Sequence, residues 1–107
     1  MIRQPVVPKP ILLDTEAFSS QGAVYTGSVL RRAREARGLT IDEVCARTRI
    51  SREHVANLEA DRYDRLPPAV YVRGELMALA KELRLDGQRV ARSYMDAIAT
   101  AVGAQAR

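Results

Sequence analysis

From residue 26 onward the apolar positions recur at three- and four-residue intervals, the period of helices that bury one face. Leu30 and Ala33 open the pattern, Val44, Cys45 and Thr48 carry the next segment, Ile50 falls in a turn, and Val55 and Leu58 mark a third segment. A longer stripe follows at Val72, Leu76, Leu79, Ala80 and Leu83, and a last one at Val90, Tyr94, Ala97, Ile98 and Ala101. The punctuation agrees. Thr26 or Ser28 can cap a first helix ending at Arg37, with Gly38 supplying the left-handed residue that closes helices. Thr40 and Glu43 satisfy the capping box, in which the hydroxyl accepts an amide three residues on and the carboxylate reaches back. Ser51 caps the third helix, leaving only about two residues for the turn between it and the second. Pro68 suits the start of a fourth helix over about Ala69 to Arg84, and Asp86 caps a fifth from Gly87 to about Val102. Gly74 in mid-helix costs about 1 kcal/mol relative to Ala, and close approach of a neighbouring helix is the expected compensation. The fold class is all-α: a compact five-helix domain with an irregular N-terminal arm.

Residues 1–25 break this period. Pro5, Pro8, Pro10, Ser19, Ser20 and Gly22 interrupt any helix or strand, yet Ile11, Leu12, Leu13, Phe18, Val24 and Tyr25 are apolar enough for part of the arm to lie on the domain. The domain itself is expected over 26–103, with 104–107 fraying.

With 47% hydrophobic but only 5% aromatic residues among 107, the core must be built from aliphatic side chains, and there is length for one small domain. One cysteine excludes an internal disulfide. Cys45 falls on an inward position, where a packing thiol is expected. No apolar run approaches a signal peptide core or a membrane span, and a cytoplasmic location follows as the expectation. Catalysis is not expected: His54 is the sole histidine, so neither a triad nor a zinc site of familiar spacing can be assembled, and no cofactor or metal is implied.

The segments LRRAREARGLT (Leu30 to Thr40), TRIS (Thr48 to Ser51), LEADRYDRLP (Leu58 to Pro67) and YVRG (Tyr71 to Gly74) together resemble helix-turn-helix domains of the Cro and lambda-repressor type, and within them the RodZ-like subgroup. The resemblance covers roughly residues 26 to 95. It implies the five-helix fold and a structural ion pair between Arg34 and Glu59. It also implies one of two jobs. Most chains of this fold bind double-stranded DNA, whereas the RodZ-like subgroup implies docking to a protein partner such as an actin-like filament, and a membrane helix that the residues up to Arg107 do not carry.

Under the DNA reading, the helix beginning at Ser51 enters the major groove. Arg52, Glu53, His54 and Asn57 then face the bases, because Arg can bridge the O6 and N7 of guanine and Asn the N6 and N7 of adenine. Thr40, Arg47, Arg49, Ser51, Arg62 and Arg65 contact phosphates. The net charge of +4 suits a polyanion, and Ser28 to Arg49 carries six arginines against three acids, a net of +3. Against it, Ser51 to Leu66 has three arginines and four acids, a net of −1, and Ile41 stands where DNA-binding members commonly have a phosphate-holding Gln. Under the docking reading the surface is the outer face of the last two helices, including Tyr71, Arg73 and Met77. DNA binding is preferred, docking is the alternative, and a homodimer is a further option.

Overall fold

A computed structural model describes residues 24–105. Among them are five α-helices, one short 3-10 turn and no strand. We label the helices α1 (Gly27–Ala36), α2 (Ile41–Thr48), α3 (Arg52–Glu59), α4 (Ala69–Glu82) and α5 (Gly87–Gln105), with the 3-10 turn at Tyr63–Arg65. The N-terminal arm, including Ile11 to Leu13 and Phe18, lies outside the described residues.

Four of the five helices start where a side chain can satisfy orphan amides, and α4 starts after Pro68 without such a cap. The Thr26 hydroxyl accepts from the Val29 amide. Thr40 accepts from the Glu43 amide at 3.1 Å while its own amide donates to Glu43 Oε1 at 2.8 Å, which completes the capping box. The Thr40 amide, with the Thr40 hydroxyl beside it, holds the Glu43 carboxyl below its ordinary range. Ser51 accepts from the His54 amide, and Asp86 Oδ1 accepts from the amides of Gln88 and Arg89. Gly38, at φ +71°, and Arg49, at φ +63°, supply the left-handed residues after α1 and α2.

The core is the predicted aliphatic one. Leu30, Val44, Val55, Leu58, Leu76, Leu79 and Val90 are fully buried. α4 packs along α5, α3 rests on α1 and α2, and α2 rests on α4. Tyr25, assigned from sequence to the arm, is also fully buried, and its amide donates to Ser93 Oγ on α5 at 2.8 Å. Tyr94 reaches the opposite way: its hydroxyl donates to the Leu58 carbonyl at 2.7 Å, and its ring meets Tyr63 edge-on at 5.8 Å. Burial pushes the Tyr94 phenol up.

The start of α1 sits on the end of α3. The Gly27 amide donates to Asp61 Oδ1 at 2.8 Å, placing a carboxylate at the positive end of the helix dipole. A Cβ on Gly27 would lie 2.4 Å from the carbonyl oxygens of both Leu58 and Glu59, so only glycine permits this approach.

Two expectations are corrected. Gly74 is exposed, and a Cβ there would meet nothing within 4 Å, so no neighbouring helix explains it. α5 continues to Gln105 instead of ending near Val102, since AVGAQ contains no residue that forbids helix.

Candidate functional site: the exposed faces of α3 and α4

The sequence places four base-facing side chains on α3, and the fold commits three of them. Arg52 pairs with Asp42 of α2, both side chains being largely exposed. His54 is half-buried, with Nδ1 2.6 Å from Glu75 Oε2 on α4. Asn57 is the clear correction: it is 6% exposed, not outward. The segment after α3 folds back over it. The Arg62 amide donates to the Asn57 carbonyl at 3.0 Å, and Asn57 Nδ2 reaches the Arg65 carbonyl at 3.5 Å. Helical period within eight residues cannot register a cover supplied from outside the helix. Glu53 alone stands exposed without a polar partner among the described residues, and a carboxylate is the least useful of the four beside phosphates.

The phosphate candidates scatter. Thr40 and Ser51 are exposed caps whose hydroxyl oxygens already accept amides. Arg47 lies 3.7 Å from Glu82 of α4. Arg49, Arg62 and Arg65 are exposed. Ile41, at the first position of α2, packs against the core, so its side chain is spent on folding.

Arg34 and Glu59 join α1 to α3 by a buried bidentate pair, Nε to Oε2 at 2.7 Å and Nη2 to Oε1 at 3.0 Å, while Nη1 donates to the Leu39 carbonyl at 2.8 Å. The hydrogen bonds to Glu59 raise the Arg34 guanidinium further above its ordinary value despite burial. This glutamate is unavailable to any visitor, and so is Asp61. Both count among the four acids between Ser51 and Leu66. With Glu59 neutralised by Arg34 and Arg52 matched by Asp42, Arg62 and Arg65 stand against Glu53, Asp61 and Asp64, so the net of −1 remains, with Asp61 held at the positive end of α1.

α4 presents the other surface. Its buried line, Val72, Leu76, Leu79 and Ala80, faces the core, and its two glutamates turn toward α3 and α2. On the opposite side Val70 is 72% and Tyr71 62% exposed, with Met77 half as much. Arg73 is exposed beside them. Val70 was not anticipated, though an aliphatic residue off the buried stripe was its visible signal.

Cys45 is half-buried, and burial together with nearby Asp42 pushes its thiol up, which disfavours the thiolate. No group of three His, Cys, Asp or Glu among the described residues could hold a metal.

Residues 29–90 match the family described as "Helix-turn-helix domain". The chain belongs to that family. It is also 40% identical over 68 residues to the cytoskeleton protein RodZ of Streptococcus pneumoniae (strain ATCC BAA-255 / R6), a match covering 64% of this chain and 25% of that protein. The chain thus spans about a quarter of the length of the curated relative it matches. No solved structure matches. No helix among the described residues is long and apolar enough to cross a membrane.

Proposed function

We propose that this helix-turn-helix module works as a protein-docking domain, with the outer face of α4 as the contact surface. The observation that carries the reading is the exposed group Val70, Tyr71 and Met77 on a helix whose opposite side is fully buried. Aromatic and aliphatic groups held open on a rigid helix are the anchors that protein interfaces use. The RodZ relative, named as a cytoskeleton protein, supports a docking role as well. A non-enzymatic binding module is the coarser statement on which family and relative agree.

DNA binding is the second reading, favoured by the basic surplus on α1 and α2. Its weakness is the supply of readers: with Asn57 buried and His54 held by Glu75, Arg52 is the one remaining side chain that could bridge a base edge.

Photo-crosslinking in the host cell separates the two. A crosslinker at position 71 should give discrete protein adducts that Arg73→Glu diminishes. A duplex complex that is sequence-selective and lost in Arg52→Ala, with no adducts from position 71, would overturn the docking reading in favour of DNA.

A further inference from the structure

Resting on the docking reading, we infer that the occupant of the α4 face is an acidic, amphipathic helix that crosses α4 over Gly74. The fold leaves Gly74 without an internal reason. Glycine in mid-helix costs about 1 kcal/mol against Ala, and nothing of this domain approaches the missing Cβ within 4 Å. Its position is informative. At 100° per residue, Val70, Gly74, Met77 and Lys81 fall on one line, directly opposite the buried stripe, with Arg73 and Tyr71 on its two flanks. The bare position therefore lies in the middle of an apolar strip from Val70 to Met77, about 10 Å or two helical turns long, whose Met77 end lies against Gly87 at the start of α5. A partner backbone can come closer there than over any side chain.

Charge selects the partner. Arg73 and Lys81 are exposed and have no ion-pair partner among the described residues, whereas Glu75 and Glu82 of the same helix are drawn away to His54 and Arg47. The outward line thus holds two cations and no acid. A helix laid along it gains by presenting Leu- or Ala-type residues at i, i+3, i+4 and i+7 to the strip and Glu or Asp to the flanks. A basic segment would set like charges against Arg73 and Lys81, and an extended strand would find no sheet edge to join.

The test is selection from a displayed library of random helical peptides on the 107-residue chain, followed by fluorescence anisotropy of the recovered peptides. Recovered sequences should be acidic with apolar residues at helical spacing. Arg73→Glu combined with Lys81→Glu should weaken them about tenfold or more, since like charges would then face each other, and raising the salt should weaken them as well. Gly74→Leu places a good helix former in open space, so it should leave the circular dichroism intact and raise the melting temperature by several degrees while weakening the peptide about tenfold by blocking close approach. Basic, neutral or extended peptides that still respond to Tyr71→Ala would overturn the acidic-helix inference and leave docking standing. Recovery of no peptide that responds to Tyr71→Ala would remove the docking reading itself.

Discussion

Replacing Glu59 with Ala should be among the most damaging single changes in this domain. Arg34 and Glu59 side chains are 9% and 7% exposed, so their charges are shielded from solvent. Removing the carboxylate strands Nε and Nη2 of Arg34 and leaves only the bond from Nη1 to the Leu39 carbonyl. An uncompensated buried charge of this kind costs about 3–5 kcal/mol. A domain of this size has about 5–10 kcal/mol in all, so Glu59→Ala should melt roughly 12–40 °C below the wild type. The pair itself contributes much less than its loss, because both charges had to leave water. Arg34→Met with Glu59→Leu should therefore be closer to wild type than either single variant, with a coupling of about 2–3 kcal/mol. The residual deficit should be about 1 kcal/mol, from the Leu39 carbonyl left without its donor. Urea unfolding followed by circular dichroism measures all four corners of the cycle. Additive losses, or a Glu59→Ala cost under about 1 kcal/mol, would refute the claim that α3 is held on α1 by a charge pair out of solvent.

Other outcomes follow from single contacts. Gly74→Ala should stabilise by about 1 kcal/mol, a rise of roughly 4–8 °C in Tm, because the new methyl enters open space; no rise would mean that α4 is not a regular exposed helix there. Gly27→Ala should cost about 3 kcal/mol or more by pushing α1 off the end of α3, and a scanning calorimetry trace close to wild type would contradict the 2.4 Å approach. His54→Ala should cost about 1–3 kcal/mol by leaving Glu75 without its hydrogen bond, with Glu75→Leu in the same background recovering part of it in urea titration. The Tyr94 phenol titrates higher folded than unfolded, so its stabilisation is complete below about pH 10, the unfolded value, and is lost as pH rises above that toward the folded value. Tyr94→Phe should be about 1 kcal/mol less stable at pH 7 for want of the bond to Leu58, yet show a flatter loss of stability above pH 10; parallel alkaline limbs would count against it.

What the sequence made legible was local. The Thr40–Glu43 box, the Ser51 and Asp86 caps and the stripe from Val72 to Leu83 depend on residues within a few positions of one another, and each is found where periodicity and capping chemistry put it. The Arg34–Glu59 pair, 25 residues apart, was reachable only through family resemblance. Asn57 and His54 were misread for a shared reason: their neighbours come from elsewhere in the chain, the fold-back at Arg62 and Arg65 and the α4 carboxylate 21 residues away. Asp61 looked like a surface acid because nothing nearby marks it as the counter-charge for α1, which begins 34 residues earlier. Gly74 failed differently. Its openness invites an internal explanation, and the domain offers none.

How firmly each restraint on α3 holds decides what the helix can be used for. The Arg52–Asp42 pair is solvent-exposed on both sides, so freeing Arg52 costs about 0–1 kcal/mol. Freeing Asn57 means lifting the 3-10 turn off α3, together with Tyr63 and its ring contact to Tyr94. Releasing His54 strands a largely buried glutamate on α4. One arginine on guanine supplies about 1–3 kcal/mol of discrimination, whereas specific binding needs about 4–10 kcal/mol over non-specific. On α3, Arg52 is therefore the one releasable side chain that can bridge two acceptors of a base, with Glu53 beside it able to accept from a cytosine. On α4, by contrast, Val70 and Tyr71 are open without any rearrangement.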